Sequence, residues 1–278
     1  MNTDTLHQIT EKFLSTSSDN IISPKIAMQK ELAGLPIFES PLLGFAIATD
    51  SCFIDLQNEA IAGFVMSPPE FWLPSAHTVI SIFFPFSQQI KESNRKKGNR
   101  PSFEWMHARI DGQKFIIALC SHIKTALLDE GYEAIVPAMD ERLWSVPFPD
   151  KNTNSPHSYK TNWSERHAAY ICGLGTFSLS KGLITSKGVA GRLGSIITSL
   201  KLPPTTRPYK DIYEHCIMCG ACMRNCPANA ISFEKGKENQ PCSELLKKVL
   251  EENSPYYGCD KCQSAMPCES KIPKKIII

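Results

Sequence analysis

The chain has 278 residues, of which 42% are hydrophobic and 21% charged, and its formal net charge is +2. This composition is ordinary for a globular protein and excludes long disorder as its main theme. The near-neutral balance gives no strong case for a polyanionic partner. The one short basic cluster, between Arg95 and Arg100, is interpreted as a solvated loop.

The N-terminal segment from Met1 to Lys30 lacks a basic start followed by an apolar stretch. No segment approaches the roughly 18 apolar residues of a membrane span. We therefore expect a cytoplasmic protein without membrane contact. Eight of the eleven cysteines fall between Cys216 and Cys268, and in a reducing compartment such clustering indicates metal binding rather than disulfides.

The first half of the chain alternates strand and helix signals. Residues 44–49 and 78–84 are short apolar runs bounded by turns, which predicts two buried strands. Between residues 103 and 130 apolar side chains recur at steps of three and four, and Ser102 can cap the start, which predicts a long helix. A strand is expected at residues 133–136. A helix that leads into a strand suggests an α/β layer.

The next segment contains a loop and a short helix. Residues 147–158 are rich in Pro, Asn and Asp, so they predict an irregular loop of a length that often borders a site. Asn162 followed by Glu165 resembles a capping box, which predicts a short helix that stops at Gly173.

A last strand is predicted at residues 194–200, and Pro203 and Pro204 end it. We expect the domain boundary there. The predicted organisation is an α/β (α+β) domain at residues 1–203 and a smaller ferredoxin-like domain at residues 204–278.

The cysteine spacing in the second domain is the strongest signal in the chain. Cys216, Cys219, Cys222 and Cys226 followed by Pro227 form C-x2-C-x2-C-x3-C-P, the bacterial ferredoxin pattern. In that pattern three thiolates hold one 4Fe-4S cluster and the fourth binds another. Zinc is disfavoured, since a zinc site needs neither the close third cysteine nor the proline.

Two 4Fe-4S clusters are therefore expected, each with its own set of cysteines. The first set is Cys216, Cys219, Cys222 and Cys268, and the second set is Cys226, Cys242, Cys259 and Cys262. The usual spacing would place the last ligand of the first set at Met266, two residues before Cys268. Without Cys268, the first cluster would have an open iron or an outside ligand. Three other cysteines, Cys52, Cys120 and Cys172, are interpreted as structural.

Several segments resemble epoxyqueuosine reductases and the related reductive dehalogenases. They are residues 69–76, 165–175, 183–184, 193–198 and 258–263, together with the ferredoxin pattern. The similarity begins near Gly44 and covers most of the chain after it.

The resemblance implies a nitroreductase-like domain that binds cobalamin, with one cluster beside the corrin and the other relaying electrons to it. Such clusters can reach the low potentials that cobalt reduction requires. The residues implied in cobalamin binding are Gly173, Leu174, Gly175, Gly191, Arg192, Gly194 and Ser195. Arg192 would meet the cofactor phosphate. The alternative is that the glycines serve turns and a helix stop.

The chain departs from the epoxyqueuosine reductases in two respects. Their acidic proton donor is replaced by Tyr159, which becomes the candidate catalytic residue, because a tyrosine can also donate a proton. The sequence has ten residues after Cys268 and no helical-repeat extension, so we do not expect a tRNA substrate.

Two functions stay open. The first is a cobalamin-dependent reductase of a small substrate, supplied by a low-potential donor such as ferredoxin or flavodoxin. The second is an electron carrier that serves a partner such as a corrinoid protein. A ferredoxin fused to an unrelated binding module would leave the matches around Gly173 and Leu193 unexplained.

Overall fold

The computed structural model describes residues 1–96, 98–146, 148 and 159–274. The helices are α1 (Thr3–Thr16), α2 (Ser51–Asp55), α3 (Glu59–Ala62), α4 (Pro69–Trp72), α5 (Gln88–Asn94), α6 (Phe103–Asp129), α7 (Glu165–Ile171), α8 (Ala221–Arg224) and α9 (Asn239–Asn253). The strands are β1 (Leu42–Ile47), β2 (Thr78–Pro85), β3 (Ala134–Ile135), β4 (Gly175–Phe177), β5 (Leu183–Thr185), β6 (Gly191–Thr198), β7 (Ile231–Ser232) and β8 (Gly236–Lys237).

The main sheet has the order β1-β2-β6-β3, and each adjacent pair is antiparallel. Strand β2 is buried along its whole length, as its run of Val, Ile and Phe predicts for a central strand. In the register, Ile80 lies opposite Phe45 on one side and Ile196 on the other. Two small antiparallel sheets, β4-β5 and β7-β8, lie outside this sheet.

Helix α6 packs across the main sheet. Its Ile116, Leu119 and Ile123 are almost fully buried, and each such side chain contributes about 1.5–3 kcal/mol through burial. A Cβ at Gly194 of β6 would lie 2.8 Å from Ile116 Cγ2, so the glycine allows this close approach. The main core thus joins α6 to β1, β2 and β6.

The structure confirms the mixed α/β fold and most predicted elements. Ser102 caps α6 by accepting a hydrogen bond from the Trp105 amide, as predicted. The predicted capping role of Asn162 is wrong: Ser164 occupies the N-cap position of α7. Asn162 Oδ1 instead accepts from the Trp144 amide at 3.0 Å, because the chain folds back on residues 142–146 before the helix begins.

The cysteine-rich region is joined to the rest of the chain by many hydrogen bonds. The amide of Val189 donates to the carbonyl of Cys268, and the side-chain amide of Asn94 donates to the carbonyl of Cys259. Arg95 forms an ion pair with the buried Glu269. The domain boundary after residue 203 stays a prediction. Among the helices described, none has the length and apolar character needed to cross a bilayer.

Candidate cluster and cofactor site

The first cysteine set comes together in space. Cys216, Cys219, Cys222 and Cys268 all line one small pocket between β5, α8 and the segment after Met266. Met266, at the usual ligand position, reaches the same pocket, and its sulfur lies 3.4 Å from Cys268 Sγ. The two-residue displacement of Cys268 along the chain therefore does not keep it from the other three cysteines.

Backbone geometry explains how a short loop gathers these thiols. Met218 and Gly220 have φ values of 49° and 68°, in the left-handed region that favours glycine. The chain thus turns sharply on both sides of Cys219 before it enters α8. Cys219 remains exposed, whereas Cys222 is buried on α8.

The electrostatics of the first set disfavour lone thiolates. Burial, and to a smaller extent the neighbouring Cys216, Cys219 and Cys222, raise the pKa of Cys268 to about 12. Burial also raises the pKa of Cys222. Thiols in such surroundings ionise when positively charged metal centres bind them.

The second set is more deeply placed. Burial raises the pKa of Cys259 to about 12 and that of Cys262 to about 11. Both are also raised by the nearby Cys242, and Cys262 by Cys226. These mutual effects link the four cysteines that the spacing predicts as one ligand set.

A lysine lies where it can compensate part of the negative charge that ionised cysteines of the second set carry. Lys237 Nζ lies 3.9 Å from Cys262 Sγ, and the negative charge at Cys262 raises the pKa of Lys237. The amide of Ala230 also donates to Cys226 Sγ at 3.3 Å. Charges and hydrogen bonds at ligand sulfurs tune the potentials of iron–sulfur clusters.

The donor chemistry of both sets fits two 4Fe-4S clusters. Each set offers four thiols and is shielded from solvent on at least one side, and the ligand assignment itself stays a prediction. Among the residues described, no three His, Cys, Asp or Glu side chains are arranged to hold a single metal ion.

A cavity of about 340 Å³ lies between α6, α7 and β6, and we call it the central cavity. Its apolar wall includes Phe83, Ile116 and Leu183. Asp260, which follows Cys259, and Gln263, which follows Cys262, also line it. The central cavity therefore adjoins the second cysteine set.

The central cavity has an unusual number of polar atoms without partners. In the part of the chain described, six buried side-chain nitrogen or oxygen atoms have no hydrogen bond. Four of them belong to residues that line this cavity: Arg109 Nε, Arg192 Nε, Glu165 Oε2 and Gln263 Oε1. Such groups are costly unless a ligand satisfies them. A cofactor with amide arms and a phosphate, such as cobalamin, fits this mixture of donors, acceptors and apolar wall.

Glu165 is the most perturbed acid of the cavity. Burial raises the pKa of its carboxyl to about 7, although hydrogen bonding to Ser195 and Trp163 offsets part of the effect. The indole of Trp163 donates to Ser195 Oγ at 2.9 Å, which fixes these two neighbours. Near neutral pH the Glu165 carboxyl can therefore hold or release a proton.

The structure brings four of the seven residues implied in cobalamin binding to the central cavity. These are Gly191, Arg192, Gly194 and Ser195, all on β6.

The other three, Gly173, Leu174 and Gly175, do not line the central cavity. Gly173 has φ 80° at the end of α7, where it stops the helix. A Cβ at Gly175 would lie 2.1 Å from the carbonyl oxygen of Ile184, so this glycine is required for the β4-β5 pairing. For Gly173 and Gly175, the observed geometry agrees with the alternative to cofactor binding, in which the glycines serve a helix stop and close packing.

Tyr159 is not among the described residues that line the central cavity. Its amide donates to the carbonyl of Val146 at 2.7 Å, and its φ of 59° is uncommon for an aromatic residue. Thr161, two residues further on, does line the cavity. Apart from Phe148, the predicted loop at 147–158 lies outside the described residues. The catalytic role of Tyr159 stays a prediction.

Sequence reasoning missed the contribution of α6. Arg109, Gln113, Ile116 and Cys120 line the cavity and recur at steps of four, three and four, on one face of the helix. The signal available in the sequence was that two polar residues, Arg109 and Gln113, share a helix face with the apolar Ile116 and Cys120. Cys120 and Cys172 are buried with raised thiol pKa values, as expected of structural cysteines.

Known proteins share parts of this arrangement. The family model of the 4Fe-4S binding domain matches residues 209–232, which include the four cysteines of the ferredoxin pattern. A trichloroethene reductive dehalogenase from Dehalococcoides mccartyi is 30% identical over 105 residues. The match covers 37% of this chain and 18% of the dehalogenase, so the chain corresponds to less than a fifth of that relative.

Solved structures show where the fold recurs. The epoxyqueuosine reductase of Streptococcus thermophilus aligns over 100% of this chain and 69% of its own, with a TM-score of 0.53 and 16% identity. A reductive dehalogenase, whose structure suggested a mechanism for B12-dependent dehalogenation, aligns over 84% of this chain and 30% of its own, with a TM-score of 0.54 and 14% identity.

These findings define the class as proteins that combine a mixed α/β fold with a 4Fe-4S binding segment. Within that class, the structural neighbours of this chain are epoxyqueuosine reductase and reductive dehalogenases, which confirms the resemblance found in the sequence. At identities of 14–16% the likeness concerns the fold.

Proposed function

We propose that this protein is a cobalamin-dependent iron–sulfur oxidoreductase that passes low-potential electrons from two 4Fe-4S clusters to a cobalamin at the central cavity, which reduces an unidentified substrate. One observation carries the proposal. Sequence neighbours of the second cysteine set and four of the residues implied in cobalamin binding line the same cavity: Asp260 and Gln263 from the cysteine-rich segment, and Gly191, Arg192, Gly194 and Ser195 from β6. The proposed organisation is a cobalamin domain at residues 1–203 and a cluster domain at residues 204–278.

Electrons would enter at the first cluster. Cys219 is exposed, and exposed apolar side chains of Ile212, Met218 and Phe233 lie in the same region of the chain. This surface suits the docking of a small electron donor such as ferredoxin or flavodoxin. The second cluster, held largely by buried cysteines, would then relay the electrons to the cavity.

Residues of β6 would hold the cofactor. Ser195 offers a hydroxyl and Arg192 offers a guanidinium, while Gly191 and Gly194 let Phe84 and Ile116 pack closely against the strand that carries them. The aromatic ring of Phe83 would pack against the cofactor's apolar surface. When bound, cobalamin supplies a cobalt centre that can be taken to low potential and can reduce an organic substrate.

Reduction of an organic substrate also requires a proton. Glu165 faces the cavity with an unpartnered Oε2, and burial raises its pKa to about 7, so the protonated carboxyl can act as a general acid at that atom. Tyr159 remains the sequence-based candidate for the same role. Thr161 and Trp163 line the cavity and would help to restrict the entry of water once a ligand is bound.

The central cavity favours a protein with a bound small molecule over a simple electron carrier. A cavity of about 340 Å³ that combines apolar wall with convergent polar groups is in the size range of small-molecule sites. A carrier of electrons to a corrinoid protein would need a docking surface rather than an internal cavity.

The test is anaerobic purification from cells supplied with cobalamin. We expect corrin absorbance, about one cobalt per chain and about eight irons per chain, as two clusters require. Full iron content without cobalt, after reconstitution with hydroxocobalamin, would leave the carrier alternative. An iron content near four would contradict the two-cluster assignment.

A further inference from the structure

The wall of the central cavity has an excess of positive charge. Arg109, Arg166 and Arg192 line it, whereas its carboxyl groups belong to Glu165 and Asp260. Asp260 is already engaged, because its Oδ2 lies 3.8 Å from Arg109 Nη1. Glu165 is only partly ionised near pH 7, since burial raises its pKa to about 7. The balance favours a negatively charged ligand.

Arg192 is only partly compensated by the groups around it. Its Nη2 donates to Gln113 Oε1 at 2.5 Å, and its Nε has no acceptor. Within the described residues, no carboxylate lies within 4.0 Å of the Arg192 guanidinium, in contrast to Arg109, although Asp260 is near enough to raise the pKa of Arg192. Burial and then the nearby Arg109 lower the pKa of Arg192 to about 10. An uncompensated guanidinium in the interior is strongly unfavourable, so it calls for an anionic partner.

We propose that Arg109 and Arg192 form a subsite for an oxyanion, a phosphate or a carboxylate, within the central cavity. The planar guanidinium matches the paired oxygens of either group, and hydrogen bonds between ionised groups are the strong ones. Neither guanidinium is fully used by the protein, because the Nε of each lacks an acceptor. Arg109 is also oriented by stacking on Tyr257, at 4.5 Å from the ring centre.

The oxyanion has two possible sources. It is either the phosphate of the bound cofactor or an acidic group of the substrate. The assignment to a cofactor phosphate rests on the proposed function, whereas the subsite itself does not. The tests below therefore begin with a probe that involves no corrinoid.

The first experiment uses the cluster-containing protein without corrinoid and inorganic phosphate as the probe. Phosphate should raise the melting temperature of the wild-type protein, because a ligand that binds the folded state stabilises it. In Arg192→Gln the phosphate affinity should fall at least about tenfold, the scale of one lost charge-assisted hydrogen bond. Arg192→Lys keeps the charge and should retain part of the affinity.

Arg100→Gln is the matched control. Arg100 is an arginine about half exposed, outside the central cavity, and it pairs with Glu252. This variant should respond to phosphate as the wild type does. Melting without phosphate also shows whether Arg192→Gln folds, and we expect no loss of stability because the substitution removes an uncompensated charge.

The second experiment distinguishes the two sources. It compares the binding of cobalamin with that of cobinamide, which lacks the phosphate-linked nucleotide. If Arg192→Gln weakens cobalamin binding at least about tenfold and leaves cobinamide binding unchanged, the oxyanion is the cofactor phosphate. Benzoate serves as the carboxylate probe for a substrate group. If both corrinoid affinities are unchanged, and the cobalamin-loaded variant binds benzoate at least about tenfold more weakly than the loaded wild type does, the oxyanion belongs to the substrate.

The proposal is overturned if Arg192→Gln behaves as Arg100→Gln does with phosphate, with both corrinoids and with benzoate. If no corrinoid binds to any variant, the proposed function fails, while the phosphate titration still decides whether the subsite exists.

Discussion

The two cysteine sets use the same ligand type in different surroundings. The first set reaches the surface at the exposed Cys219, and its pocket is bordered by Met266 and Pro267. In the second set Cys259 and Cys262 are buried, Lys237 Nζ lies 3.9 Å from Cys262 Sγ, and the adjoining Asp260 lines the central cavity. The first set thus reaches the protein surface, where a partner could dock, whereas the second set adjoins the central cavity.

This difference suggests a direction for electron transfer. A cluster near the surface can exchange electrons with a docked donor, whereas a buried cluster can deliver them to a ligand shielded from water. Solvent exposure, net charge and hydrogen bonds to sulfur set the potential of a cluster. The two sites should therefore differ in potential as well as in accessibility, and each of the following predictions tests one aspect of the contrast.

The largest expected effect is the loss of a cluster. Cys219→Ala removes an exposed thiol that is a predicted ligand of the first cluster, and Cys262→Ala removes a buried thiol that is a predicted ligand of the second. Each variant should lose about four of about eight irons, because the sets are separate. Iron analysis and electron paramagnetic resonance spectra after anaerobic reconstitution measure this. The Cys262 variant should also melt at a lower temperature, since its thiol is part of a buried cluster of side chains. Loss of all iron in either variant would mean that the sets are not independent.

The next effect concerns the cavity side. Burial raises the pKa of Glu165 from 4.5 to about 7, so between these pH values the folded state holds more protons than the unfolded state. Stability should therefore fall as the pH rises from about 4.5 to about 7, by about 3 kcal/mol at most from this group. Glu165→Gln removes the dependence. Its melting temperature should gain several degrees on the wild type between pH 5 and pH 7.5.

His167 acts in the opposite direction and must be separated from this effect. Burial lowers its pKa from 6.5 to about 4, so its contribution to stability rises with pH across that interval. Both proteins contain His167, and its contribution cancels in the comparison. Parallel curves for the wild type and Glu165→Gln would show that the carboxyl does not titrate in this range.

The sequence predicted what depends on local spacing. The ferredoxin pattern, the long helix from Phe103 and the strands around Ile80 and Ile196 follow from periodicity and ligand spacing, and the structure has them. The wrong prediction, the cap at Asn162, concerned a side chain that bonds to residues 18 and 20 positions earlier. Local patterns do not contain such distant partners.

The central cavity shows the same limit. Arg109 on α6, Glu165 on α7 and Arg192 on β6 are far apart in the chain and meet only because α6 packs across the sheet. Gly173 and Gly175 illustrate the converse, since a glycine-rich segment close to a predicted site serves a helix end and a strand pair. Spacing identifies ligands of one loop, whereas a cavity wall requires the tertiary fold.

The smallest effect is expected from Lys237 and would sharpen the contrast between the clusters. Its ammonium, 3.9 Å from Cys262 Sγ, would stabilise the extra negative charge that a cluster bound there gains on reduction. Lys237→Met should therefore lower the potential of the second cluster on the order of 50 mV, about a tenfold change for a one-electron couple. The matched control is Lys235→Met, because Lys235 is exposed and pairs with Glu238 at 3.2 Å. Redox titrations followed by electron paramagnetic resonance measure both clusters, and the Cys219→Ala and Cys262→Ala variants assign the signals. Equal shifts in the two lysine variants would mean that general surface charge, rather than the contact with Cys262, sets the potential.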